Sequence, residues 1–322
     1  MNGPVVVTTT LPDPVLDRLR TAGPVWTPPD PGPLDRGALL TSVPGAAAIV
    51  ATLNDRIDAE VADAAGPGLR VVANVAVGFD NLDVPALRAR GVEVTNTPGV
   101  LTDATADLTF GLLLAVTRRL GEGERLLRAR TPWSFQLGFM LGSGLQGKTL
   151  GIVGLGQIGR AVARRALAFG MRVVYTGRNP APAPVERELS ATRLPLADLL
   201  ATADVVSLHC PLTEGTRHLI DADALATMKP TAFLVNTTRG PVVDEAALAT
   251  ALADGVIAGA ALDVFEHEPD VHPGLLERDN VALAPHLGSA TTETRTAMAM
   301  RAAENVCAVL AGAAPLTPVP IR

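Results

Sequence analysis

Cysteine is nearly absent: the chain of 322 residues has two, Cys210 and Cys307, and no Cys-x-x-Cys pair. That excludes a disulfide framework and a paired-thiol redox motif, and it suits a reducing cytoplasm. The start, MNGPVVVTTTLPDP, lacks a basic segment, a long apolar stretch and a small-residue cleavage site, so it reads as no secretory signal. The most apolar helical stretch, Leu108 to Val116, is too short to span a bilayer and ends at Arg118 and Arg119. Among five histidines, no His-x-x-x-His or His/Cys spacing supports a metal site. Excess positive charge is missing too. At a formal net charge of -6, the chain gives no general reason to expect nucleic acid or an anionic membrane as partner. A small acidic substrate remains open, because a local basic site can sit inside an acidic protein.

What is present is a globular composition, 48% hydrophobic and 19% charged, over a length that exceeds one ordinary core. Short apolar runs alternate with helical patterns from end to end. The strands expected are Val5–Thr10, Ala47–Thr52, Arg70–Val75 and Val92–Asn96. A second series covers Thr149–Val153, Arg172–Thr176, Val205–His209, Ala232–Asn236, Ile257–Asp263 and Val281–Ala284. Runs such as VVANVAV and FLVN do not alternate, which suits strands buried on both faces. The pattern therefore predicts an α/β fold with two doubly wound parallel sheets, that is, two Rossmann-like domains.

The boundary between them falls in NTPGVLTDA, residues 96 to 104. A long helix then starts at Thr102 or Asp103, both favourable N-cap types, and closes on Arg118 and Arg119. Residues 121 to 148, with Gly138, Gly142, Gly144 and Gly147, read as irregular. Thr292 to Leu310 reads as a final helix, which the sequence alone allots to neither domain.

Residues 149 to 159, TLGIVGLGQIG, run a buried strand into Gly154-x-Gly156-x-x-Gly159 and then a helix through Ala168. In this strand-turn-helix-strand setting the motif predicts a dinucleotide site over Gly154, Leu155, Gly156, Gln157, Ile158 and Gly159. The glycines permit the tight turn and a close backbone approach to pyrophosphate, and the helix start supplies free N–H groups. The end of the next strand, about twenty residues on, selects the cofactor. It reads Thr176-Gly177-Arg178-Asn179, with no carboxylate for a ribose 2′-hydroxyl and an arginine able to pair with a 2′-phosphate. NADP is therefore expected over NAD, with Gly177, Arg178 and Asn179 at the contact.

Ligands in such sheets bind beyond the carboxyl ends of the strands. Three successive strands end in Arg239-Gly240, in Glu266-His267-Glu268-Pro269, and in His286. Singly, each is an ordinary surface, turn or structural residue. Together they suit reduction of a 2-keto acid. Arginine clamps the carboxylate and polarises the ketone, histidine donates a proton to the developing alkoxide, and a carboxylate holds the imidazole and favours its charged form. His209 ends a strand near the cofactor motif. His218, His267 and His272 lie in polar turns, and Cys210 reads as inert.

GLGQIG, NTTRG, DVFEHEP and APHLGSAT, in this order and spacing, resemble the D-isomer-specific 2-hydroxyacid dehydrogenases. VAVGFDNLD and NTPGVLTDATADL extend the resemblance over nearly the whole chain, with the nearest likeness to glyoxylate/hydroxypyruvate reductases. The resemblance implies Arg239, Glu268 and His286 as the catalytic set, with Glu266 as a nearby decoy. It implies Asp263 at the nicotinamide amide, Val77 and Gly78 as substrate-carboxylate amides beside Arg239 and His286, and Pro211, Thr237 and Gly288 at the cofactor. It also implies a substrate-binding domain of residues 1–100 and 288–322, a dinucleotide-binding domain of residues 101–287, and an active site in the cleft between them. Family members are typically homodimers joined through the cofactor domain, with the loop carrying Trp133 reaching the partner's site.

The function expected is NADPH-dependent reduction of glyoxylate or hydroxypyruvate to the D-2-hydroxy acid, with NAD as a possible second cofactor. A bulkier D-2-hydroxy acid is the alternative substrate. D-3-phosphoglycerate is disfavoured because VGFDNLD has no Lys or Arg for a phosphate and no residues follow Arg322 for a regulatory domain. A dinucleotide-sensing corepressor of the same fold is the rival from another class.

Overall fold

The computed structural model describes residues 3–30 and 32–320. Two compact units make up the chain: Met1–Leu101 with Thr291–Arg322, and Thr102–Ala290.

Among the described residues, the first unit carries β1 (Val5–Val7), β2 (Val25–Trp26), β3 (Ala48–Ala51), β4 (Val71–Asn74) and β5 (Glu93–Thr95). They form one parallel sheet in the order β2-β1-β3-β4-β5. Helices cover both faces, so every residue of β3 and β4 is buried and neither strand alternates. Val6, Ile49, Val72 and Val94 pack on one side with Leu39, Val61 and Leu87. On the other side Val5, Val7, Val50 and Val71 meet Ala299, Ala302, Ala303 and Val306 of the helix Thr292–Leu310. The three- and four-residue spacing of those small side chains makes one stripe that lies close to the strands. Thr291 caps this helix by accepting the Thr294 N–H at 3.1 Å, a contact worth about 1 kcal/mol. The final helix, unallotted by sequence, thus belongs to the first unit.

The second unit carries β6 (Thr149–Val153), β7 (Arg172–Thr176), β8 (Ala191–Arg193), β9 (Val205–Leu208), β10 (Phe233–Asn236), β11 (Gly259–Leu262) and β12 (Val281–Leu283). All pair in parallel, in the order β12-β11-β10-β9-β6-β7-β8. The order reverses between β6 and β9, and that is where a doubly wound sheet opens a crevice beyond its strand ends. The helix Thr102–Thr117 buries Ala106, Phe110, Leu113 and Val116. Its threonines Thr109 and Thr117 donate their hydroxyls back to Thr105 and Leu113 carbonyls at 2.7 Å, so they are buried without loss.

The fold class matches the reading of two parallel α/β sheets, but three elements differ from expectation. β2 and β8 are short edge strands of two and three residues with no apolar run to announce them. Residues 121 to 148 are not irregular throughout, since a helix spans Leu120–Arg128. Gly121 and Gly123 hid it. Arg119 pairs with Glu122 and Arg128 with Glu124, each at 2.7 Å, and no residue of the helix is buried. Beyond it Trp133, Phe135, Leu137, Phe139 and Leu141 are exposed, with the Trp133 and Phe139 rings stacked 6.1 Å apart. No helix among the described residues is long and apolar enough to cross a membrane.

Candidate active site

The turn after β6 is shaped by contacts that leave no room for side chains. Gly154 has φ of 101°, a region L residues rarely adopt, and donates its N–H to the Thr176 carbonyl at 2.9 Å. A Cβ on Gly154 would stand 2.7 Å from the carbonyl carbon of His209, and one on Gly159 would overlap the Gly154 carbonyl. Gly156 is different: a Cβ there meets nothing within 4 Å. It is the N-cap of the helix Gln157–Ala168, with no side chain to satisfy the first N–H groups. Gly156 and Gln157 are exposed, Ile158 is half-buried and Leu155 is buried. An open helix N-terminus at the crevice, with the glycine backbone bare, fits the pyrophosphate of a dinucleotide.

The end of β7 carries no carboxylate. Arg178 and Asn179 are exposed, and the Gly177 and Arg178 carbonyls are held by Arg193 Nη2 at 2.8 and 3.2 Å. The brace comes from β8, the strand the sequence did not reveal. At the end of β9, the His209 imidazole takes a 2.8 Å hydrogen bond with Ser207 Oγ, and burial pushes its pKa down to about 3. It is therefore neutral near pH 7. Burial likewise pushes the Cys210 thiol up to about 11, which leaves it protonated and inert. Pro211 is exposed and its carbonyl accepts the Thr216 hydroxyl at 2.7 Å. Thr237 turns its hydroxyl inward to Thr109 at 3.0 Å.

The second half of the sheet gathers the charged residues. Asn236, buried at the end of β10, builds the turn that carries Arg239. Its Nδ2 donates to the Arg239 carbonyl at 2.9 Å, and its Oδ1 accepts the Thr238 N–H at 3.0 Å and hydroxyl at 2.8 Å. Arg239 itself donates from Nη1 to the Thr238 carbonyl at 2.9 Å. Asp263, at the end of β11, builds the next turn. Its two carboxylate oxygens accept the Leu287 and Gly288 N–H groups at 2.6 and 2.7 Å, while its carbonyl accepts the His286 N–H at 2.8 Å. Burial raises the Asp263 pKa, and those two N–H bonds counter only part of that. Gly288 is closed on its other side as well, where its carbonyl accepts the Thr105 hydroxyl at 3.1 Å.

His286 sits at φ of 54° on this turn, and its Nδ1 lies 2.8 Å from Glu268 Oε2. The other oxygen, Oε1, accepts the Phe265 N–H at 3.1 Å. Burial pushes the Glu268 carboxyl up, but the His286 hydrogen bond and charge, the Phe265 N–H and the Arg239 charge together hold it below the ordinary range. Glu268 is therefore an anion at neutral pH, bonded to one imidazole nitrogen, while the other nitrogen is left to exchange a proton. Glu266 turns elsewhere, to His218 Nε2 at 2.6 Å. The His267 carbonyl accepts the Asp270 N–H at 2.8 Å, and His272 caps a short helix by accepting the Gly274 N–H at 3.2 Å. Among the described residues, no cluster of three or more His, Cys, Asp or Glu could hold a metal ion.

In the first unit, the loop after β4 carries Val77 and Gly78. Two buried asparagines fix it: Asn96 Nδ2 donates to the Val77 carbonyl at 2.8 Å and Asn74 Nδ2 to the Gly78 carbonyl at 2.9 Å. Because a trans peptide sets C=O and N–H on opposite sides, fastening the Val77 carbonyl fixes the direction of the Gly78 N–H. Sequence reasoning missed Asn74, Asn96 and Asn236. Their signal was an asparagine closing or following an apolar strand, which reads equally well as a plain turn residue.

The family model for the NAD binding domain of D-isomer specific 2-hydroxyacid dehydrogenases matches residues 110–288. A glyoxylate reductase of Thermococcus litoralis is 48% identical over 295 residues, 90% of this chain and 88% of the relative. One from Thermococcus onnurineus is 47% identical over 321 residues, covering 98% and 96%. Among solved structures, the TT0316 protein of Thermus thermophilus superposes with a TM-score of 0.91 at 48% identity, over 98% of this chain and all of that one. An NADPH-dependent glyoxylate/hydroxypyruvate reductase of Sinorhizobium meliloti, in complex with NADP and malonate, gives 0.86 at 36% identity over 99% and 97%.

Proposed function

The chain belongs to the D-isomer specific 2-hydroxyacid dehydrogenases, and from that premise we propose that it reduces glyoxylate or hydroxypyruvate with NADPH. The oxidoreductase activity on a keto acid, with a nicotinamide dinucleotide, comes with the family. The choice of small acid and of NADPH is the proposal. The single observation that carries the reading as a keto-acid reductase is the His286–Glu268 pair at 2.8 Å, which joins the turns after β12 and β11, the latter next to the β10 turn bearing Arg239.

Each residue then has one task. Arg239 holds the substrate carboxylate and draws electron density from the ketone oxygen. The amides of Val77 and Gly78 are assigned to the same carboxylate on the family resemblance. When bound, the nicotinamide supplies the hydride, with its amide assigned to Asp263. His286 delivers a proton from Nε2 to the alkoxide oxygen as the C–H bond forms, and Glu268 stabilises the imidazolium that gives it up. NADPH is favoured over NADH by Arg178 at an acid-free strand end. The chain works as a homodimer in the cytoplasm, with the exposed side chains from Trp133 to Leu141 covered by a second copy.

Initial rates with glyoxylate, hydroxypyruvate and 2-ketoisocaproate, each with NADPH and NADH, test this reading. Fast NADPH oxidation with one of the small acids is expected. Turnover with the bulky acid alone overturns the substrate, and nucleotide binding without any turnover favours a sensing protein.

A further inference from the structure

Glu266 and Glu245 are two carboxylates that the reaction does not use, set within hydrogen-bonding distance of each other's backbone. Glu245 N donates to Glu266 Oε2 at 3.3 Å, and Glu266 N donates in return to Glu245 Oε1. Glu245 is buried, and the Glu266 side chain is 14% exposed. Burying two like charges is unfavourable unless each is bonded and a cation lies near. His218 supplies the third member, with Nε2 2.6 Å from Glu266 Oε1 and Nδ1 3.9 Å from Asp244.

The segments so joined are those that carry the reacting side chains. Arg239 leads directly into Gly240–Val242 and then Glu245, while Glu266 stands two residues before Glu268 on one turn. Gly240 lies flat on the peptide between Phe265 and Glu266, where a Cβ would overlap the Phe265 carbonyl carbon. His218 N donates to the Pro241 carbonyl at 2.8 Å and Ile220 N to the Val242 carbonyl at 3.1 Å, which adds a third strand of backbone to the clamp. We propose that Glu266 and Glu245, anchored by His218, are positioning residues that hold the Arg239 turn and the Glu268 turn in fixed register.

This inference rests on Arg239 and Glu268 acting in turnover. The clamp bonds two backbones, so losing it moves two charged groups relative to each other while leaving the cofactor turn untouched. Displacing a positioned group by about an ångström can cost up to 100-fold in rate. Glutamine at 266 can keep both bonds if His218 takes the tautomer with a bare Nε2, whereas alanine keeps neither.

The test measures kcat and KM for glyoxylate, the NADPH Kd and Tm for Glu266→Ala, Glu266→Gln, His218→Ala and Arg239→Ala. Glu266→Ala is expected to lower kcat roughly tenfold or more, with the NADPH Kd within about twofold of wild type and Glu266→Gln regaining most of the rate. His218→Ala, altered at a partly exposed side chain, carries the test if Glu266→Ala does not fold, and should lose about threefold or more. A folded Glu266→Ala with lower Tm and wild-type kcat, beside an inactive Arg239→Ala, overturns the clamp and leaves the catalytic reading standing. Wild-type turnover in Arg239→Ala overturns both.

Discussion

Glu268 spends one carboxylate oxygen on His286 Nδ1, 2.8 Å away, and the other on the Phe265 N–H at 3.1 Å. Burial alone would favour the protonated acid, yet these bonds and the charges of His286 and Arg239 hold the carboxyl below its ordinary range. A carboxyl with a depressed folded-state pKa stabilises the fold above its unfolded value and loses that contribution as pH falls through the folded value. The stability gap between wild type and Glu268→Gln should therefore be full near neutral pH and close under acid, below about pH 4.5. Denaturant unfolding at several pH values checks this. In turnover, Glu268→Gln should lower kcat for keto-acid reduction, because His286 Nδ1 loses the anion that orients the ring.

Arg178 stands at the exposed end of β7, where the neighbouring carbonyls are already braced by Arg193. Arg178→Ala should weaken NADPH roughly tenfold or more while leaving NADH within about twofold, as expected for a charge-assisted bond to a 2′-phosphate. Fluorescence titration with both nucleotides checks it. Equal losses would show a structural effect with no phosphate contact.

Gly154 and Gly156 make a paired comparison. Gly154→Ala forces a Cβ to 2.7 Å from the His209 backbone at a φ of 101°, a strain of about 1–3 kcal/mol. It should lower Tm and weaken the nucleotide. Gly156→Ala meets no protein atom within 4 Å, so Tm should hold while NADPH affinity falls, because the new methyl occupies the approach of the pyrophosphate. Thermal melts with and without NADPH separate the two effects.

The exposed row Phe135, Leu137 and Leu141 should be covered by a second copy of the chain. Phe135→Ser with Leu137→Ser should shift the mass measured by light scattering from dimer toward monomer. A single-copy mass for the unaltered chain would contradict the dimer.

Both sheets were legible because strands buried on two faces run apolar without alternation, as VVA of β4 and FLV of β10 do before each closes on an asparagine. The dinucleotide turn was legible for a local reason: Gly154 and Gly159 answer steric demands that fall within one turn and its neighbours, and Gly156 leaves the helix start bare between them. The charged residues could be placed because strand ends in a parallel sheet share one edge. β2 and β8 could not be read, since two or three edge residues carry no periodic signal. The helix Leu120–Arg128 was obscured by Gly121 and Gly123. The Glu245–Glu266 exchange was invisible for another reason. It joins residues 21 apart through backbone groups, and one sequence carries no mark of which carboxylate a distant N–H will choose.

The proton donor is the centre of the account, and the steady-state rate of NADPH oxidation with glyoxylate by wild type and His286→Ala tests it most directly. Wild type should turn over glyoxylate, and His286→Ala should lose roughly 100-fold or more of kcat, as for a displaced general acid, while binding NADPH with unchanged affinity. A folded His286→Ala that reduces glyoxylate at near wild-type rate would contradict the account.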